Sequence, residues 1–422
     1  MDDNKLRIVF EQYEIHDLLG LFDNRTEKSS DMSKPKQKMS LRDKKNAERI
    51  SYTFAPGGEN HRDNQFIGEL PTPGSGLTAV DVQTIATHYK NAGYVVEYIN
   101  LNEASGMEDS SVYKAYVENG GHVEQAAVCV IRNFADADTT DRIYEDSIKD
   151  EWDAHYLDPK KYQSLKTEDG KLRKWKNAKG RQMTIKVNWI LDEEGNPVLD
   201  ESGNPTKDPE IRPGVVLNKL ARTNICLIPG PTPLDLRNWC KRQYGKDWRK
   251  KDKRKRLAEA KAALNVSQEP NYPEGKGRIV DLCTKETLDL VVNDVQSTFN
   301  DVLKEKGSDS VVKINVVEGN RYYTLWNAKK GRKTGIGFHG DTERVVVIAL
   351  TIGGGGNYPI VWRWFHKGKI VGNPVEIGLN DGDLYVMSEK AVGADWMNNK
   401  RGFTLRHAAG AEQYRKVKPN WL

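Results

Sequence analysis

Long hydrophobic runs are missing from this chain of 422 residues. The longest mostly apolar stretch, Val345 to Ile352, is broken by Thr351 and falls far short of the roughly 18–20 residues that cross a bilayer. No membrane partner is therefore expected. The first residues, Met1-Asp2-Asp3-Asn4-Lys5, carry acids where a secretory leader carries bases, and no apolar segment follows them. Cysteine is scarce as well. Cys129, Cys226, Cys240 and Cys283 form no C-x-x-C pair, which excludes a disulfide scaffold and a cysteine zinc cluster and leaves reduced thiols of a cytoplasmic or nuclear protein as the expectation. A phosphate loop is also lacking, because Gly353-Gly354-Gly355-Gly356 is followed by neither Lys-Ser/Thr nor a helix pattern.

Charge, by contrast, is plentiful: 65 basic and 60 acidic side chains give a net +5. Its distribution is uneven. The segment 241–256 holds ten Lys/Arg against Asp247 and Asp252, and 171–186 adds seven more around Trp175 with no acid. Bases interleaved with aromatic rings suit a nucleic-acid strand, cations meeting phosphates and rings stacking on bases. Trp239, Trp248, Lys250 and Lys251 are the candidate contacts there. The competing reading is a solvated helix face or a nuclear address.

Along the chain, residues 1–75 read as partly disordered, since Lys28 to Arg49 lacks apolar periodicity and Pro71-Thr72-Pro73-Gly74 is loop chemistry. Order is expected from about residue 76. Thr78 and Asp81 form a capping pair ahead of Val82, Ile85, Ala86 and Tyr89, which predicts an amphipathic helix. Strands are expected at Tyr94–Ile99 and Ala126–Ile131. The clearest helix is 285–306, where Leu288, Val291, Val292, Val295, Phe299, Val302 and Leu303 share one stripe. From Val311 on, short apolar or alternating runs are separated by Gly, Asn and Asp turns, the pattern of an antiparallel sandwich or barrel. The expected class is α+β, a jelly-roll core at 276–422 with a supporting region at 76–275 that contains the basic insertions.

The chemistry gathers in that core. His339-Gly340-Asp341 precedes the strand Val345 to Ile352, and side chains two apart on a strand point the same way. His407 closes another strand, Thr404-Leu405-Arg406-His407. Two imidazoles and a carboxylate on a β scaffold can occupy one face of an Fe(II) ion and leave the other open. A second H-x-D, His61-Arg62-Asp63, has no strand around it. His366 competes with His407, but it is expected on a hairpin turn facing solvent.

These residues, with Asn320-Arg321-Tyr322, the turn-strand Leu379 to Met387 and Leu405-Arg406-His407, resemble the Fe(II)/2-oxoglutarate-dependent dioxygenases, and within them the AlkB-like branch, over the C-terminal ~140 residues. The resemblance implies a double-stranded β-helix that binds Fe(II) through His339, Asp341 and His407. It also implies 2-oxoglutarate and O2 as co-substrates and oxidation of a substrate C–H, with demethylation where that C–H belongs to an N-methyl group. Asn320 and Tyr322 would contact the co-substrate, whose far carboxylate needs a cation. Arg415 is placed first for its bidentate geometry, with Lys416 and Lys418 as rivals. Arg344 is expected near the substrate mouth. A nucleic-acid base is the substrate class the basic segments favour. A protein side chain, a free metabolite and a non-catalytic nucleic-acid-binding module are the alternatives.

Overall fold

The computed structural model describes residues 40–60, 65–156, 174–176, 180–185, 189–190, 192–194, 196–206, 220–250, 252–271, 276–323, 334–354, 359–398, 400 and 402–422. From the N-terminus, β1 (Glu48–Ala55) leads into a hairpin of β2 (Gly57–Asn60) and β3 (Gln65–Gly68). The helix Ala79–Asn91 begins with the expected capping box, Thr78 against Asp81. Then come β4 (Val96–Asn100), β5 (Ala127–Ile131), the helix Ala137–Ser147 and β6 (Asp153–Tyr156). A small hairpin of β7 (Lys174–Lys176) and β8 (Gln182–Thr184) precedes β9 (Leu220–Ile228). Two helices, Pro233–Tyr244 and Lys253–Ala263, precede β10 (Ile279–Asp281) and the long helix Glu286–Glu305. The remaining strands are β11 (Val316–Tyr323), β12 (Gly335–His339), β13 (Val347–Ile352), β14 (Ile360–His366), β15 (Lys369–Ile377), β16 (Leu384–Met387) and β17 (Phe403–Gly410).

Two sheets organise these elements, and the class is α+β. The large sheet runs β10-β9-β11-β1-β13-β16-β5-β4 with β6 beside β9, and all pairs but β10–β9 are antiparallel. The smaller sheet runs β12-β17-β14-β15. One face of the large sheet, carrying Tyr52, Phe54, Cys129, Ile348 and Leu350, packs on the helices through Val82, Ile85, Val292, Val295 and Phe299. The opposite face meets the smaller sheet, with Val130, Val347, Ala349 and Tyr385 clustered against Trp362, Trp364, Val371 and Leu405. Strand alternation produces this division, because successive side chains leave opposite faces.

Order begins earlier than residue 76. The stretch Glu48 to Ala55 pairs over its whole length with β11 and along Ile50–Phe54 with β13, which places it inside the large sheet. Ile50, Tyr52 and Phe54 are buried there. Strands of the large sheet therefore come from all three sequence segments. Removing residues before 276 would expose the edges of β11 and β13 and uncover the core lined by β1. A fragment 276–422 is expected to aggregate or to show no cooperative unfolding. Recovery of a soluble fragment with a cooperative thermal transition would show that its strands close without β1.

Candidate metal centre

The small sheet builds the centre. His339 ends β12 and faces His407 on β17 as a register pair, with ring centroids 4.4 Å apart. Asp341 lies just past β12, where its N–H donates to the Val392 carbonyl at 3.3 Å. Gly340 is required by a close approach, since a Cβ there would lie 2.1 Å from the Gly393 carbonyl oxygen. Donor atoms of His339, Asp341 and His407 all fall within 4.8 Å of one another. Nε2 of His339 is 3.3 Å, and Nε2 of His407 3.7 Å, from Oδ1 of Asp341.

Protonation suits ligation. His339 Nδ1 lies 2.7 Å from the Gly337 carbonyl; a carbonyl only accepts, so Nδ1 carries a proton and Nε2 is the ring nitrogen that faces Asp341 and the centre. Burial, reinforced by the charge of His339, pushes His407 down to about 3. It is neutral at physiological pH. Burial opposes the charge on Asp341, but the hydrogen bond from His339 and the charges of His407 and Arg344 outweigh it and hold the carboxyl well below its usual range. Two imidazoles and one carboxylate are a donor set suited to a divalent cation, and Fe(II), the metal the resemblance implies, fits it.

The centre opens on a cavity of about 440 Å3 between the sheets. The expected Asn320, Tyr322 and Arg344 line it with the triad. Arg344 is a buried residue of the cavity wall and not a surface cation. It is 5% exposed and pairs with Glu318, with Glu343 at 2.7 Å and with Asp341 at 3.6 Å. Burial opposes its charge, but the three carboxylates raise its pKa well above the usual value. It is the counter-ion of the cavity's acids.

Other expected residues lie elsewhere. Arg415 is not directed into the cavity; its guanidinium donates to the Gly410 carbonyl at 3.1 Å and pairs with Glu376 at 2.8 Å. Lys418 stands over the Trp421 ring at 5.0 Å. His366 does not face solvent. It is buried, stacks on Phe403 at 4.6 Å and lies beside Tyr116, so it serves packing. His61 and Asp63 lie outside the described residues.

The basic segments are also reorganised by packing. Trp248 is 1% exposed inside a small separate core with Cys240 and Ala260, so it cannot stack on a base. Trp239 is partly buried on the same core, 6.0 Å from Tyr244. Lys250 pairs with Asp247 at 2.8 Å, and Lys251 lies outside the described residues. Within 171–186, the described residues include the β7–β8 hairpin, with Trp175 against Trp189 at 6.4 Å. None of the described residues among these lines the cavity.

Sequence reasoning missed the wall contributed by β1 and β16: Ser51, Thr53 and Tyr385. The signal was present, because Ile50, Tyr52 and Phe54 alternate strictly with Arg49, Ser51 and Thr53.

No family model matches the chain, and no solved structure matches it. The chain is similar to an uncharacterized protein of Acanthamoeba polyphaga mimivirus, 38% identical over 152 residues that span 36% of this chain and 52% of that protein.

Proposed function

We propose that this chain is an Fe(II)- and 2-oxoglutarate-dependent dioxygenase on a double-stranded β-helix, of AlkB-like type, that oxidises a C–H bond of its substrate. The observation that carries the reading is the convergence of His339, Asp341 and His407 at one end of an inter-sheet cavity. When bound, Fe(II), 2-oxoglutarate and O2 supply an oxidant able to take hydrogen from an unactivated C–H. The residues present the three ligands from one side, leave the cavity side open for co-substrate and substrate, and enclose the reacting group. His339, His407 and Arg344 together outweigh burial and keep Asp341 ionised, and the carbonyl of Gly337 accepts from Nδ1 of His339.

The cavity also constrains the substrate. Glu59, Glu318 and Glu343 line it with Arg344, so it suits a neutral or cationic reacting group rather than a phosphate. An N-methylated base, oxidised to formaldehyde and the bare amine, meets that condition, with phosphates held outside by exposed bases such as those of 241–256. A basic protein side chain meets it too and is the second reading. The test is Fe(II)-dependent succinate formation from 2-oxoglutarate, first without substrate and then with methylated oligonucleotides or basic peptides. Turnover stimulated by one class identifies it. Absence of any Fe(II)-dependent succinate removes the dioxygenase reading and leaves a binding module.

A further inference from the structure

Trp362, Trp364 and Leu405 point from β14 and β17 into the core between the sheets, so the residues that alternate with them, Arg363, Phe365 and Arg406, leave the outer face of the small sheet. Arg363 and Arg406 are direct cross-strand partners there. Side chains so placed start about 4.5–5.5 Å apart at Cβ, where two like charges oppose each other. Arg406 is 8% exposed, and Nε of both residues is buried with no hydrogen-bond partner. Among the described residues neither guanidinium pairs with a carboxylate. Glu376, opposite Val361 on the same face, is engaged by Arg415, and Asp395 is engaged by Lys390. Burial lowers the pKa of both arginines.

Aromatic rings close around Arg406. Its guanidinium carbon stands 4.3 Å from the Phe365 ring centroid, 5.0 Å from that of Trp396 and 5.7 Å from that of Trp421. Trp421 in turn meets Phe365 at 5.3 Å and carries Lys418 Nζ at 5.0 Å. Rings over a guanidinium attract its charge and cover its faces, but the N–H donors lie in its plane and stay available to an oxyanion. Ring contact accounts for the place of Arg406. It does not account for Arg363, a second cation set beside the first without a counter-ion. A phosphate group suits this charge better than a carboxylate, because it brings three strong acceptor oxygens and a charge of about −1.5 to −2.

We infer that the outer face of β14 and β17 is a phosphate site, in which Arg363 and Arg406 share the oxygens of one phosphate and Lys418 adds a third cation. The ligand is a phosphate group, carried either by free phosphate or by a polynucleotide backbone. Neither arginine lines the metal cavity, whereas Trp396, which stacks on Arg406, does. Trp396 also packs on Gly340, since a Cβ there would lie 2.7 Å from its ring. A phosphate bound here is thus outside the acid-lined cavity, with Trp396 between the two sites. The site needs no metal and is independent of the dioxygenase reading.

The test uses the full chain without added metal and titrates it by calorimetry, at constant ionic strength, with inorganic phosphate and separately with an unmodified single-stranded oligonucleotide. Saturable binding of at least one probe is expected. Arg363→Gln and Arg406→Gln should each weaken it about 10-fold or more, the range of a hydrogen bond to a charged group. Arg406→Gln also removes three ring contacts, so Arg363→Gln is the deciding variant. Without phosphate it should be as thermally stable as the wild type or more so, because like-charge repulsion is relieved. Oligonucleotide affinity about tenfold or more above that for inorganic phosphate, and lost in the same variants, assigns the backbone as the ligand; a smaller difference assigns the free anion. If Arg363→Gln fails to fold, Arg363→Lys decides: loss of the fork weakens binding, and unchanged binding overturns the site. Wild-type affinity for both probes in a folded Arg363→Gln protein overturns it as well, as does a wild type that binds neither probe.

Discussion

His407→Ala is expected to abolish tight divalent-metal binding and, with it, all Fe(II)-dependent turnover, whereas His366→Ala leaves metal binding intact. The imidazole removed is one of three donors within 4.8 Å, and among the described residues no fourth ligand type joins that group. Loss of outer partners at metal sites typically costs 10–100-fold in affinity, so loss of a ligand is expected to cost at least about 100-fold. Mn(II) titration followed by electron paramagnetic resonance measures this; affinity retained within threefold would remove His407 from the ligand set. His366 differs because its ring is packed on Phe403 and Tyr116, and its loss is expected to lower stability by about 1–3 kcal/mol. A pH signature accompanies the first result. In the metal-free protein the folded-state pKa of His407 lies near 3, below the unfolded value of 6.5, so the unfolded chain binds more protons in that window. Stability therefore falls as pH drops from about 6.5 towards 3, and the depressed Asp341 adds to the loss at its acid end. His407→Ala should flatten the upper part of that profile in urea titrations.

Arg344→Met is expected to be among the most destabilising single substitutions in the cavity, by about 3–5 kcal/mol, because it leaves Glu318, Glu343 and Asp341 without their shared buried cation. Glu343 already has a pKa raised by burial, which Arg344 partly offsets. In the variant, the carboxyl of Glu343 should have a folded-state value still further above its unfolded one. Stability it contributes is then present below the unfolded pKa and lost as pH rises, the opposite of the His407 effect. Urea denaturation at pH 7 and pH 5 separates the cases: the deficit should shrink at pH 5. A loss below about 1 kcal/mol at pH 7 would mean that water, not Arg344, satisfies these acids.

Much of the scaffold was legible because its signals are local. The stripe from Leu288 to Leu303 defines a helix that buries one face, and the structure has it at Glu286–Glu305. The apolar runs at 345–352, 360–365, 384–387 and 403–407 correspond to β13, β14, β16 and β17. β15 carries no comparable apolar run, because Gly372, Asn373 and Pro374 interrupt it; Gly372 has a φ of +70° and packs against the Ser105 carbonyl. His339, Asp341 and His407 could be selected because His339 and Asp341 are two residues apart at a strand end and His407 lies on a strand, which limits where their side chains point.

By itself, then, the sequence determined which segments form the long helix and most C-terminal strands, and which three side chains are ligand candidates. Tertiary structure decided three things that depend on distant partners. Residues 48–55 became a central strand only by pairing with 316–323 and 347–352, and no local periodicity encodes which strands meet. Trp248 left the candidate nucleic-acid surface because two neighbouring helices close a small core around it. Arg344 and Arg415, alike as isolated cations, were separated by their surroundings: three acids and burial hold one inside the cavity, and Glu376 holds the other at the sheet edge. A side chain's charge is written in the sequence, but its dielectric surroundings and counter-ions exist only after the sheets close.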